Sequence, residues 1–292
     1  MTTKTKFNSG DSFCTSWLTL PTGKKPFPVI ILVHGGGATH DMMLEQYERE
    51  FSNEGYAVLS FDFRHLGESG GNPRQYLNIS RYLEDIDSAI KFVKEIPELD
   101  PTRIALWGTS LGSSHVVASA AKHPELKAAI IQCPVLQGRA PALKSGLTNL
   151  LRLTFPILSD TFRSFFQLER RYVPIVGLPG EKAFVTVAGA LEGWRSVMPE
   201  GYKFDNRITA GSAIGMLFYD AYKYAKRVKC PLLVCVSDKE TLMDPKIAVR
   251  CANEAPLGKA IHYPADHFDV YHSPLFEKLI RDQIEFLDQH MK

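Results

Sequence analysis

The sequence predicts an α/β protein: a doubly wound, mostly parallel sheet with helices on both faces and one helical cap insertion. Three observations predict it. Short apolar runs such as Pro28-Val29-Ile30-Ile31-Leu32-Val33 and Tyr56-Ala57-Val58-Leu59-Ser60-Phe61 have the length and continuity of strands buried on both sides. Segments with apolar residues at helical spacing lie between them. The alternation then stops between Val135 and Lys229, a connection far longer than the usual roughly 4–6 residues.

Taken in order, residues 12–20 alternate loosely and end at Pro21, which fits an antiparallel edge strand. The strand at 28–33 is followed by a helix at 41–53, a strand at 56–61 and a helix at 80–96, in which Leu83, Ile86, Ile90 and Val93 share a face. A strand at 103–107, a helix at 111–123 and a strand at 128–133 continue the pattern. Residues 143–153 and 161–168 read as separate helical pieces and 173–180 as a Pro- and Gly-punctuated middle. Strands at 231–237 and 259–263 and a helix at 273–290, with Phe276, Ile280, Ile284 and Leu287 on one face, complete the chain. The expected division is a core over 1–134, a cap insertion over 135–229 and the rest of the core over 230–292.

A formal charge of +2 and 45% hydrophobic residues describe an ordinary globular chain of 292 residues. Lysines and arginines are scattered, so a nucleic-acid partner has no support. The first ten residues are polar and lack a secretory core, and the most apolar helical piece, 147–158, carries Arg152 and Pro156 and falls short of the roughly 20 residues a membrane span needs. These features predict a cytoplasmic protein with no membrane partner. The five cysteines follow no metal-ligand spacing and read as buried free thiols. Oligomeric state leaves no mark on the composition.

The pentapeptide Gly108-Thr109-Ser110-Leu111-Gly112 lies between a strand and a helix. Its glycines permit a sharp elbow that lifts the Ser110 hydroxyl above the sheet beside a helix N-terminus, and Ser110 is the candidate nucleophile. A serine needs a base, and the base an orienting carboxylate. His267, in the loop after the 259–263 strand, is the candidate base, with His272 as an alternative; His262 alternates within the strand and reads as packed. His123 reads as a helix-end cap. After the 231–237 strand, Asp238 and Glu240 compete as the acid, and spacing alone does not choose. Either gives the chain order serine, acid, histidine. The developing oxyanion needs amide donors, expected from Leu111 and from Gly36 in His34-Gly35-Gly36-Gly37, with Gly37 second. That glycine run lacks the spacing of a nucleotide-binding loop, so no cofactor is expected, and the histidines and cysteines show no metal-ligand spacing, so no metal is expected.

These motifs, with Phe61-Asp62-Phe63-Arg64, Gly67-Glu68-Ser69-Gly70, Asp100-Pro101-Thr102-Arg103 and His267-Phe268-Asp269-Val270-Tyr271, resemble the α/β-hydrolase superfamily over nearly all of the chain except the cap. The group resembled is microbial, near the X-prolyl-peptidase and dienelactone-hydrolase branches, and similar to fungal polyketide acyltransferases. Its acid loop reads Gly-x-x-Asp, then an apolar pair and a proline. Ser237, Glu240, Leu242, Met243 and Pro245 fall on those positions, so the resemblance implies Glu240 as the acid, with glutamate and serine departing from the pattern. Arg64 and Glu68 are expected to brace their loop.

The expected function is a serine hydrolase cleaving a small, apolar carboxylic ester or thioester through an acyl-serine. The alternatives are an acyltransferase that delivers the same acyl group to an alcohol, and a non-catalytic protein that binds an apolar ligand under the cap. A peptidase is disfavoured, since no acidic pair is placed to hold a substrate amine.

Overall fold

The computed structural model describes residues 2–292. The chain runs β1 (Thr2–Ser9), β2 (Ser12–Thr19), β3 (Phe27–Val33), α1 (Leu44–Asn53), β4 (Ala57–Phe61), α2 (Ile79–Lys94), β5 (Leu99–Thr109), α3 (Leu111–Ala120) and β6 (Ala128–Gln132). Then come α4 (Ala140–Lys144), α5 (Leu147–Phe165), β7 (Tyr172–Val173), α6 (Ala190–Ser196), β8 (Ile208–Thr209) and α7 (Ser212–Leu217). β9 (Leu232–Ser237), α8 (Pro245–Glu254), β10 (Gly258–Tyr263) and α9 (Leu275–Met291) close the chain.

Eight strands form one sheet in the order β1-β2-β4-β3-β5-β6-β9-β10. Every pairing from β4 to β10 is parallel, while β1–β2 and β2–β4 are antiparallel. β3 shows why the central strands read as continuous apolar runs: Val29, Ile31 and Val33 face the layer that includes α2 and α3, whereas Ile30 and Leu32 face the layer of α1 and α9. Both faces are covered, so each position in such a strand is buried. The parallel strands bring the loops after β3, β5, β9 and β10 to one end of the sheet, where side chains from distant parts of the chain meet.

Two expectations about elements are corrected. Residues 12–20 do form an antiparallel strand, but not an edge strand, because the polar N-terminal segment pairs outside it as β1. Most of β1 faces solvent and only Phe7 and Ser9 are buried, so it carries little of the apolar signal that marks a strand. The two helical pieces of the insertion are largely one helix, α5, which continues through Pro156. Proline removes one main-chain donor there, yet its ring is buried on the inner face with Leu153, and that packing offsets the lost bond. Among the described residues no helix is long and apolar enough to cross a membrane.

Candidate active site

At the end of β5 the chain reverses into α3 through Ser110, whose φ of 53° and ψ of −125° are rare for any L-residue. The flanking glycines make this turn possible. A Cβ on Gly108 would lie 2.6 Å from Val116 Cγ2, and one on Gly112 would lie 2.3 Å from the Val33 carbonyl oxygen. The Ser110 amide donates to the Gln132 carbonyl at 3.1 Å, and its own carbonyl accepts from the Val135 amide at 3.0 Å. These bonds to β6 and beyond hold the strained residue in place.

The loop after β10 places His267 Nε2 3.0 Å from Ser110 Oγ. The other ring nitrogen, Nδ1, lies 2.8 Å from Glu240 Oε2. A carboxylate can only accept, so Nδ1–H donates to Glu240; Nε2 of the neutral ring is then free to accept the Ser110 hydroxyl. The second Glu240 oxygen accepts from the Leu242 amide at 2.8 Å, so both oxygens of the carboxylate are bonded. His267 and Glu240 are both buried.

Asp238, the nearer carboxylate in sequence, points elsewhere: it is exposed and lies 2.7 Å from His262 Nδ1. This also corrects the packed reading of His262. β10 is the outermost strand, so a side chain alternating within it meets solvent instead of a second layer. The alternative base, His272, sits 2.9 Å from Ser196 Oγ, away from Ser110. His123 is no cap either: α3 ends at Ala120, and the ring lies between Asp87 at 2.7 Å and Glu125 at 3.1 Å.

Asp266 is a participant that sequence reasoning missed. Its carboxylate accepts from the Thr241 amide and hydroxyl, both at 3.0 Å, and from the His267 amide at 2.6 Å, tying the loop that carries Glu240 to the loop that carries His267. The one available signal was an aspartate directly before the histidine, which without the fold reads as loop polarity.

The glycine loop after β3 lies against the elbow. A Cβ on Gly36 would fall 2.8 Å from Leu111 Cδ2, and one on Gly35 would fall 3.2 Å from Ser110 Cβ. His34 braces this loop: its Nδ1–H donates to the Gly35 carbonyl at 2.8 Å, and Nε2 accepts from the Phe63 amide at 3.4 Å. Burial holds its pKa below the ordinary histidine value, in keeping with that neutral tautomer. Arg64 is wholly buried and bonds Asp85, Glu84 and the Arg81 carbonyl, while Glu68 pairs with Lys4 at the surface. Arg64 thus ties its loop to α2, whereas the Glu68 side chain makes only an exposed ion pair. The five cysteines are free and buried, and burial pushes the Cys133 and Cys235 thiols up to about 12, which keeps them protonated.

Two adjoining chambers meet at Ser110, Gly36 and Trp194, with about 440 and 480 Å³ of empty space, part of it open to solvent. The first is bounded by His267, Phe268, Tyr271, Val197 and Met42. The second is walled by Leu111, Val135, Ile175, Val185, Met216 and Leu242, apolar side chains throughout. No carboxylate lines either chamber. Trp194 thus stands in the site, but Phe165 and Phe166 do not: they are 81% and 54% exposed on the outer surface and line neither chamber.

An elbow serine, a histidine and a carboxylate above a parallel sheet mark a protein of the α/β-hydrolase fold, and the chain belongs to the family described as serine aminopeptidase S33 (Hydrolase_4), matched over residues 24–279. It is similar to the quorum-quenching protein AidA of Acinetobacter baumannii, 34% identical over 282 residues that cover 97% of this chain and 93% of the relative. A shorter match, 30% identical over 115 residues, joins 39% of the chain to 36% of the thiohydrolase aneE of Aspergillus aculeatus. Among solved structures it resembles the α/β hydrolase GrgF of Penicillium with a TM-score of 0.85 at 21% identity, covering 100% of this chain and 99% of the other. Family and relatives together make the chain a hydrolase or acyltransferase of this fold.

Proposed function

We propose that the protein is a serine-dependent hydrolase that cleaves a small, apolar carboxylic ester or thioester through an acyl-serine. The observation that carries this reading is the unbroken relay from Ser110 Oγ to His267 Nε2 at 3.0 Å and from His267 Nδ1 to Glu240 at 2.8 Å, at the floor of apolar chambers. Ser110 Oγ attacks the acyl carbon as its proton passes to His267 Nε2. Glu240 holds the ring in the competent tautomer and stabilises the imidazolium. The amides of Leu111 and Gly36 stabilise the oxyanion. His267 then returns the proton to the leaving oxygen or sulfur, and water, activated by the same histidine, releases the acid.

Since His267 must reach the leaving atom, the chamber bordered by His267 and Phe268 takes the leaving group and the wholly apolar chamber takes the acyl chain. The inserted segment 135–229 is the cap: it supplies Val135, Ile175, Val185, Trp194 and Met216 to these walls. An aminopeptidase must hold a substrate ammonium, and the absence of a carboxylate from the linings favours esters and thioesters over peptides. The names of the quorum-quenching and thiohydrolase relatives support small-molecule chemistry. Free buried thiols fit a reducing compartment, and we place the reaction in the cytoplasm.

A second reading, transfer of the same acyl group to an alcohol, has support from the similarity, 23% identical over 266 residues, to the polyketide transferase claH of Penicillium crustosum. The chambers would hold an alcohol where the leaving group departs, and product analysis with added alcohol separates the two. The test of the common step is fluorophosphonate labelling and ester turnover of the wild type against Ser110→Ala. Labelling is expected to vanish and kcat to fall by roughly 10⁴-fold or more; retained turnover in the variant removes Ser110 as the nucleophile, and a wild type inert to both leaves only a non-catalytic ligand-binding role.

A further inference from the structure

The outer face of α5 and its C-cap carries a ridge that the fold leaves largely uncovered, with the Arg171 guanidinium 5.5 Å from the centre of the Phe155 ring. Leu147, Leu151, Phe155, Leu158, Phe162 and Phe166 are each between 54% and 72% exposed. Their spacing of four, four, three, four and four residues keeps them within about 100° of arc on one side of the helix. The opposite side, with Asn149, Leu153, Pro156 and Asp160, is buried against the protein. α5 is also firmly held: the Asp160 carboxylate accepts from Arg170, from the Arg171 amide and from the Gly211 amide, and Asn149 donates to the Ala183 carbonyl. The ridge is therefore a preformed surface. Monomeric proteins rarely expose so continuous an apolar strip.

For these six residues the pattern reads the same in both directions about a point midway between Phe155 and Leu158, whereas Phe165, 81% exposed on the same arc, falls opposite Thr148. If a second copy lies antiparallel with a two-fold axis at that point, Leu147 of one copy meets Phe166 of the other, Leu151 meets Phe162, and Phe155 meets Leu158. Each contact then joins a leucine to a phenylalanine, large against smaller, as interdigitating helices require. Arg152 and Arg163 lie together on one flank of the helix, outside the ridge, where they are held by the Gly180 and Glu169 carbonyls. A membrane surface would use the same apolarity but has no need of the two-fold pattern. The six side chains leave roughly 700 Å² per copy to be covered, about 1,400 Å² for a pair, within the range of stable specific interfaces.

We infer that a second copy of this chain covers α5, forming a two-fold dimer through antiparallel α5 helices. This inference does not depend on the proposed chemistry. Sedimentation of the full chain at micromolar concentration should give twice the chain mass, and Leu158→Glu, which places two carboxylates beside the axis, should give one. Leu151→Glu serves as a second variant should Leu158→Glu fail to fold, with thermal unfolding as the folding check. The register is read by a short bis-maleimide linker: Leu151→Cys mixed with Phe162→Cys should cross-link far more than either alone, the native cysteines being buried. A monomeric wild type, including one that binds anionic phospholipid vesicles as a monomer, overturns the inference. So does a dimer that survives Leu158→Glu, or cross-linking that does not depend on mixing.

Discussion

His267 Nδ1 lies 2.8 Å from Glu240 Oε2, and the aspartate two residues earlier in the chain, Asp238, is engaged instead with His262 at 2.7 Å. The two carboxylates share one loop yet face opposite ways. Glu240 is buried with both oxygens bonded, whereas Asp238 is in solvent, where an ion pair contributes little.

That division predicts unequal costs. Glu240→Gln keeps the volume but presents an amide to Nδ1, removes the charge that supports the imidazolium and is expected to lower kcat by roughly 10³–10⁴-fold. Asp238→Asn should leave kcat within about twofold, as expected for an exposed pair. Steady-state kinetics on one activated ester compares them. Equal losses, or a larger loss at Asp238, would remove Glu240 from its proposed role.

The two chambers predict a split between the halves of the substrate. Met216→Trp adds bulk to the apolar chamber only, so kcat/KM should fall about tenfold or more for long acyl esters and change little for acetyl esters with the same leaving group. The measurement is an ester panel varied separately in acyl and alcohol length, with Ser110 labelling as a check that the relay is intact. A variant that discriminates by alcohol length instead would reverse the assignment of the chambers.

Three buried histidines predict acid sensitivity. Burial pushes His115 down to about 3 and His65 to about 4, and holds His34 below its ordinary value. All three stay neutral in the folded protein while the unfolded chain takes up their protons near pH 6.5. Stability is therefore complete above that value and is lost as pH falls through the window toward 4 and 3. For His115 alone the loss between pH 6.5 and 5 is about 2 kcal/mol. Urea unfolding across that range should show it, and His115→Phe, which retains a ring of similar shape, should flatten the dependence. An unchanged slope would mean that His115 is protonated in the folded state.

Much of this was legible in the chain. The central strands were readable because burial on both faces demands uninterrupted apolar residues, and the elbow because only glycine tolerates the approach of α3 to β3 and β5. β1 was not, since its few buried side chains give no run to read. Nor was α5 as one helix, because Pro156 is a breaker in isolation and a packed residue in context. Nor was the outward exposure of Phe165 and Phe166, since composition cannot tell an inward helix face from an outward one.

The sequence by itself determined the class of fold, the strand order of the chemistry and the residue types available to it, because these depend on local periodicity and on glycines at a single turn. Tertiary structure alone decided which carboxylate faces His267, how Asp266 ties the two loops together, and which apolar residues form the chambers and which the outer ridge. Those relations join residues far apart in the chain, and their distances and directions arise only once the parallel sheet has brought its loops to one end.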